Sequence, residues 1–317
     1  MTSLYIIGGG RWARAVAGEA HKLVDYSLDI TIISKKNFDS MKEWSTDFFG
    51  KKGITVIKNL PEKLNIKSSI YVANETKLRF ETLQRIAKFK VPILVEKPLM
   101  LNSTQANKIF DLCKHEDVKL STSQVFRFLD SIQILKNELR FFKFENIEFY
   151  WHDFLHEVRY GELKKFEPDV PLHHDVFPHI YSIMYELLGK FELELVGIQT
   201  NELGETLTLD FIIDSSIKFK THLLRSATQR LRLIRFSNES KTINFNFSSE
   251  ESIEIIADGI SIMNLNLGLS LSLQNMLRAF IESNKLDLVD VRLDAQRSFE
   301  SLQICEKIDW KVLNFDS

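Results

Sequence analysis

Two hydrophobic periods divide this chain. Up to about residue 122, short apolar runs of the kind that form buried strands recur at Leu4–Ile7, Ile30–Ile33, Ile54–Ile57, Ile70–Ala73, Ile93–Val95 and Val118–Leu120. Between the first two, Ala13, Val16, Ala17, Ala20 and Val24 lay one apolar stripe along a helix. Further helical stretches lie near Phe38–Phe48, Lys77–Phe89 and Ser103–Cys113. Strands that alternate with helices need crossover connections, which pack back on a sheet in the right-handed sense. The pattern predicts an α/β, doubly wound parallel sheet.

After about residue 144 the period drops to two. Leu207, Leu209, Phe211 and Ile213 alternate with Thr206, Thr208, Asp210 and Ile212, and Ile217, Phe219 and Leu223 alternate with Lys218, Lys220 and His222. Ile243, Phe245 and Phe247 repeat the pattern, which means an antiparallel sheet with one buried face. Ile212, Ile234 and Phe236 fall opposite the main sets. The second face is therefore expected to be partly apolar and to carry a homo-oligomer interface, dimer or tetramer. Helical stripes return at Leu273, Leu277, Phe280 and Ile281, then at Ala295, Phe299, Leu302 and Ile308. The expectation is a parallel α/β domain over residues 1–124 and an α+β domain over 125–317 with an open, mainly antiparallel sheet. The C-terminal helix is free to pack back on the first domain.

The 317 residues suffice for two cores. Lys and Arg total 41 against 43 Asp and Glu, a net charge of -2. No single-sign field exists to hold nucleic acid or an anionic membrane. The two cysteines, Cys113 and Cys305, lie far apart and form no metal-ligand spacing, which suits a reducing, cytoplasmic setting. Met1-Thr2-Ser3 leads into the first strand without a leader pattern. No apolar run approaches the roughly 18 residues of a membrane helix.

Three constellations carry candidate chemistry. Gly8-Gly9-Gly10-Arg11-Trp12-Ala13 sits between a strand and a helix and fits a dinucleotide loop. Gly8 allows the tight turn, Gly10 lets backbone approach a pyrophosphate, and Ala13 packs helix on strand. The second strand ends in Ser34-Lys35-Lys36 rather than in the acid that holds a ribose 2′-OH. A hydroxyl and two cations suit a 2′-phosphate, so NADP is favoured with NAD possible; the alternative is an ordinary solvated loop. Glu96-Lys97-Pro98 follows about the fifth strand, where exits face the ligand crevice, although a strand-end Lys can also point into solvent. The third constellation is His173-His174-Asp175-Val176-Phe177-Pro178-His179. Asp175 and His179 share a helix face at a spacing of four and make a workable acid/base pair, with Pro178 near the first turn. A zinc site and a helix cap by Asp175 are the competing readings, and zinc-type spacing is absent. The metal expectation is none. Arg127 and His174 are candidates for touching substrate, or for solvated and capping roles.

Together these residues resemble the Gfo/Idh/MocA oxidoreductases, the glucose-fructose oxidoreductase and inositol dehydrogenase group. The likeness runs through Gly8–Ala13, Ala73–Glu81, Glu96-Lys97-Pro98, Arg127-Phe128 and the Asp175/His179 pair. Asn74, Glu75 and Arg79 stand where the family usually has Thr, Pro and His. The resemblance implies a Rossmann fold, Lys97 and His179 as catalytic residues, and Asp175 helping to place the substrate. It adds Gly9, Arg11, Trp12, Ala73, Asn74, Glu75 and Glu96 to the cofactor contacts, and it assigns the second sheet to oligomerisation. The implied reaction moves a hydride between nicotinamide and a carbinol or carbonyl carbon of a sugar, nucleotide sugar or polyol. His179 exchanges the hydroxyl proton while Lys97 donates to the same oxygen. The alternatives are reduction of an imine or dihydrodiol, and a non-catalytic NADP sensor.

Overall fold

The structure is a computed structural model, and it describes every residue except Met1, 51–52, 160–161, 164–165, 202–204, 287 and 315–317. The chain divides into two compact units, one formed by Met1–Val125 with Arg159–Glu162 and Leu273–Gln303, the other by Phe126–Val158, Leu163–Ser272 and Ile304–Ser317.

In the first unit the expected alternation is realised as β1 (Thr2–Ile7), α1 (Arg11–His21), β2 (Leu28–Ile33), α2 (Phe38–Phe49), β3 (Thr55–Ile57), β4 (Ser68–Val72), α3 (Arg79–Ile86), β5 (Ile93–Val95), α4 (Ser103–His115) and β6 (Leu120–Thr122). The strands are all parallel, in the order β3-β2-β1-β4-β5-β6. Ile70, Val72, Ile93 and Val95 are fully buried, because helices cover both faces and central strands then need no polar side. Small residues set the spacing of α1, which buries Ala13, Val16, Ala17 and Ala20. Asn102 caps α4 by accepting a hydrogen bond from Gln105 N at 2.8 Å.

After β6 the chain forms α5 (Ile132–Leu139), β7 (Asn146–Phe154), the short pair β8 (Val158–Arg159) and β9 (Glu162–Leu163), and α6 (Leu172–Leu188). It continues with β10 (Leu193–Thr200), β11 (Thr206–Ile213), β12 (Ile217–Ala227), β13 (Leu231–Ser237), β14 (Lys241–Asn246), β15 (Glu251–Ala257) and β16 (Ile260–Gly268). Eight strands form one sheet in the order β10-β11-β12-β7-β13-β14-β15-β16. Only the β7/β12 pairing is parallel among its described ladders. One face packs on α5 and α6, where Phe149, Phe177, Ile180, Leu209, Phe211, Phe219 and Phe245 meet. Helix α6 is apolar almost all round because it is buried almost all round.

One expectation about this sheet is corrected. Ile234 and Phe236 are fully buried on the core face, opposite Phe149 and Ile147 of β7; only Ile212 of the three lies on the open face, half-buried. The cause is Arg232, which shares the core face and makes β13 look inverted by polarity alone.

The chain ends in α7 (Ser272–Lys285) and α8 (Ala295–Asn314). Phe299 of α8 meets Phe110 of α4 edge-on at 5.6 Å within the first unit. Cys305 and Ile308 belong to the core of the second. Among the described residues no helix is long and apolar enough to cross a membrane.

Candidate functional site

The first unit presents its chemistry at the strand exits, where the sheet's hydrogen bonding runs on by one residue. Ser34 N donates to Ile57 O (3.0 Å), Gly8 N to Ile33 O (3.1 Å), Ala73 N to Ile7 O (2.8 Å), Glu96 N to Val72 O (2.9 Å) and Ser123 N to Val95 O (2.8 Å). Five candidate or neighbouring positions thus form one row. The three glycines serve different ends. Gly8 has φ +153°, and a Cβ there would stand 2.8 Å from Ala73 O. A Cβ on Gly9 would stand 2.1 Å from Ser34 Oγ. A Cβ on Gly10 would meet nothing within 4 Å, at an ordinary φ of -98°. Nothing in the fold therefore requires Gly10 to be glycine, and the space beside it is open. It opens α1, whose first turn has no side-chain cap and no acidic residue, so the amino end of the helix suits an anion. Asn37 holds the loop by donating to Gly9 O at 2.8 Å.

Beyond β2, Ser34 is buried and its hydroxyl has no hydrogen-bond partner, while Lys35 and Lys36 are exposed. Lys58 follows β3 on the adjacent strand, with its ammonium 4.8 Å from the Phe38 ring. Sequence reasoning did not include it, because the pairing of β2 with β3 is not a local feature.

Glu96 is buried, and its Oε1 accepts from Trp12 Nε1 at 2.6 Å and from the Tyr71 hydroxyl. Ser123 Oγ lies 3.2 Å from that hydroxyl. Burial, followed by the Glu96 charge, holds the Tyr71 phenol well above its ordinary range, so Tyr71 stays a donor. Trp12 and Glu96, both read as cofactor contacts, are thus bonded to each other. Arg79 stands where the family has His, and its buried guanidinium ties two loops together. It donates to Asn74 O at 3.2 Å, to Glu96 O at 2.8 Å and to Pro98 O. Asn74 Nδ2 donates to Thr82 Oγ1 at 2.8 Å. Lys97, half-buried, sits between these braced positions, and the Lys97–Pro98 peptide is cis. Ala73 contacts the glycine loop, while Glu75 is exposed with Lys77 3.8 Å away.

In the second unit Asp175 and His179 lie on α6, as their spacing implied. The helix starts at Leu172 with Pro171 as its cap residue, so Asp175 is a first-turn acid rather than the cap, and Pro178 lies past the first turn. Arg225 Nη2 is 3.8 Å from Asp175 Oδ2 and donates to Val170 O at 3.0 Å. His179 is 8% exposed; its imidazole is stacked on Trp151 and meets Phe126 edge-on.

The other two candidates of this unit have internal partners. Arg127 donates through Nε and Nη2 to Glu186 Oε2 at 3.0 and 2.8 Å, buried at both ends. His174 Nε2 lies 2.7 Å from Asp309 Oδ2, and His173 Nε2 lies 2.7 Å from Asp309 Oδ1. Burial pushes the His173 imidazole down, against the pull of Asp309. Burial alone would raise Asp309, but the hydrogen bonds from both histidines outweigh it and hold the carboxyl well below the usual range. The three donor atoms lie within 4.8 Å of one another. Their contacts have hydrogen-bond lengths, shorter than the roughly 3.3 Å between ligands of a tetrahedral zinc.

Comparison with known proteins bears on these features. Residues 3–124 match the Gfo/Idh/MocA oxidoreductase family, described as having an NAD-binding Rossmann fold. No protein of curated function matches by sequence. Among solved structures the chain is similar to a mutant of KijD10, a 3-ketoreductase from Actinomadura kijaniata in complex with TDP-benzene and NADP. The TM-score is 0.78 at 14% identity, covering 96% of each chain. It is also similar to the UDP-N-acetylglucosamine 3-dehydrogenase GnnA from Acidithiobacillus ferrooxidans, at a TM-score of 0.72 and 14% identity over 96% of this chain and 95% of that one. These likenesses extend the fold match to both units, while the match to the Gfo/Idh/MocA oxidoreductase family covers residues 3–124.

Proposed function

We propose that the protein is an NADP(H)-dependent oxidoreductase acting on a carbinol or carbonyl carbon of a nucleotide sugar. The observation that carries the reading is the uncapped amino end of α1 beside the open space at Gly10. A pyrophosphate fits there, taken by the backbone of Gly8, Gly9, Gly10 and Arg11. Ser34, with its buried unpartnered hydroxyl, and Lys35, Lys36 and Lys58 would hold a 2′-phosphate. Both similar structures support a sugar nucleotide as substrate class, since one is a ketoreductase bound to NADP and TDP-benzene and the other a UDP-N-acetylglucosamine dehydrogenase.

When bound, the nicotinamide supplies or accepts the hydride. Lys97 donates to the substrate oxygen and favours negative charge as it develops there. His179 takes the hydroxyl proton on oxidation and returns it on reduction. Asp175, half-exposed beside Arg225, helps to place the substrate. Arg79, Tyr71 and Trp12 brace the loops that carry Glu96 and Lys97. Arg127 and His174 are assigned to the interior, because Glu186 holds Nε and Nη2 of Arg127 and Asp309 holds Nε2 of His174. The open face of the eight-stranded sheet, where half-buried Leu224 and Leu231 flank His152 and half-buried Leu233 pairs with Tyr150, is assigned to self-association.

Calorimetric titration with NADP and NAD, followed by rate assays on TDP- and UDP-linked sugars and their 3-keto forms, tests the reading. Binding of NADP and turnover of at least one nucleotide sugar are expected. A protein that binds neither dinucleotide at millimolar concentration contradicts it.

A further inference from the structure

Two buried charges of the second unit have no part in the reaction proposed above. Asp153 and Arg232 are each 1% exposed. The guanidinium donates to the Asp153 carboxylate and to the carbonyl oxygens of His152 and Leu231. An apolar pair would fill such core positions without desolvating two ions, so the guanidinium's presence calls for another reason. It lies 3.9 Å from the centre of the Trp151 ring. Trp151 and Arg232 are register partners across β7 and β13, so both side chains leave the sheet on the core face. There the His179 imidazole lies nearly parallel to the same indole, 5.2 Å between centroids at 13°. Phe126 stands edge-on to both rings, 4.8 Å from the imidazole at 89° and 5.3 Å from the indole at 88°.

We infer that Trp151, clamped by the Arg232–Asp153 pair, is the positioning residue for His179. The inference rests on His179 being the proton-transfer group of the proposed reaction. An imidazole has a broad, roughly two-fold torsion about its Cβ–Cγ bond, so packing must choose its plane. The indole face sets that plane and Phe126 blocks the swing out of it. The cation over the indole holds the indole in turn, through an attraction that is strongest for Trp and grows when water is excluded. The direction in which His179 presents its proton is thereby fixed by the β7/β13 ladder rather than by α6 alone. Misplacing a reacting group by about 1 Å costs roughly 10²-fold in rate, so this support is consequential.

Trp151 emission tests the stack without any substrate, because a ring stacked on an indole alters the surroundings that set its emission. The chain has four tryptophans, and the difference in emission between the wild type and Trp151→Phe isolates this one. The difference should change when His179→Gln removes the stacked imidazole. A difference unchanged in His179→Gln overturns the stack. In turnover, Trp151→Leu should lose roughly 10²-fold in kcat with KM for NADP(H) unchanged. Trp151→Phe, which keeps an aromatic face, should recover most of it. Phe126→Leu, a milder change, should lower kcat by less with the same unchanged KM, and serves if Trp151→Leu does not fold. Equal losses in Trp151→Leu and Trp151→Phe, or full activity in Trp151→Leu or in Phe126→Leu beside an inactive His179→Gln, sink the positioning role alone. Full activity in His179→Gln sinks the reading of His179 itself, and the positioning role falls with it.

Discussion

Arg127 separates a structural reading from a ligand-binding one, and the two predict different losses of stability and different effects on substrate KM. Its side chain is 3% exposed and that of Glu186 is 10%, with two donated bonds at 3.0 and 2.8 Å. Removing one partner of a buried pair leaves the other charge uncompensated, at a cost of about 3–5 kcal/mol. Lys136 would remain 3.7 Å from Glu186 Oε1, but it is a third exposed, so its attraction is screened. Arg127→Met should therefore cost about 3 kcal/mol, the lower end of that range. Replacing both ions by Arg127→Met with Glu186→Leu removes the stranded charge, and the double variant should lie within about 1.5 kcal/mol of the wild type. Urea unfolding at neutral pH reads both values and closes the double-mutant cycle. A single variant that loses less than about 1 kcal/mol while its substrate KM rises strongly would refute the argument. Arg127 would then be a substrate residue, as its place in the sequence first suggested.

Gly10→Ala should leave folding stability within about 0.5 kcal/mol of the wild type, since nothing in the protein meets the added carbon. It should weaken NADP binding at least tenfold, by titration calorimetry; equal affinity would move the pyrophosphate elsewhere. NADP should bind at least tenfold more tightly than NAD, about 1.4 kcal/mol. Replacing Lys35 and Lys36 together by Ala should erase most of that preference, and a preference for NADP that survives the change counts against Lys35 and Lys36 as the determinant. Folding stability should fall as pH drops below about 6.5, the unfolded histidine value. Burial holds His173, His152 and His222 below that value, so their contribution is fully present above it and is lost as pH falls through their folded values. Asp309 acts in the same direction only below about pH 4, its ordinary range. Unfolding midpoints between pH 7 and 5 should show the decline, and a rise over that interval would contradict the assignment.

The first unit was legible in the sequence because its signals are local. Ile70–Val72 and Ile93–Val95 must be apolar on both faces, so they stand out as runs, and the glycine loop follows directly on β1. The second sheet was legible as a sheet but not wholly as to face. Arg232 occupies a core position on β13, and its charge gave Ile234 and Phe236 the look of an outer face. The unread parts are pairings across long separations. Asp309 beside His173 and His174, Glu186 beside Arg127, and Trp151 beside His179 leave no mark in any local period, because only the fold brings those side chains together. Arg79 was visible as a departure from the family's His, but its three carbonyl partners are a product of loop geometry. Asp175 and His179 lie on one helix, as their spacing of four implied, whereas the partners of Arg127 and His174 were out of reach.

Turnover of a nucleotide sugar by Lys97→Ala and His179→Ala, measured beside their NADP affinity, tests the central claim most directly. The account predicts that each variant loses roughly 10²- to 10⁴-fold in kcat, the usual worth of a positioned proton-transfer group, while NADP affinity stays within a few fold because the glycine loop and Ser34-Lys35-Lys36 hold the other end of the cofactor. Near-normal turnover in either variant, with NADP bound as tightly as in the wild type, would contradict it.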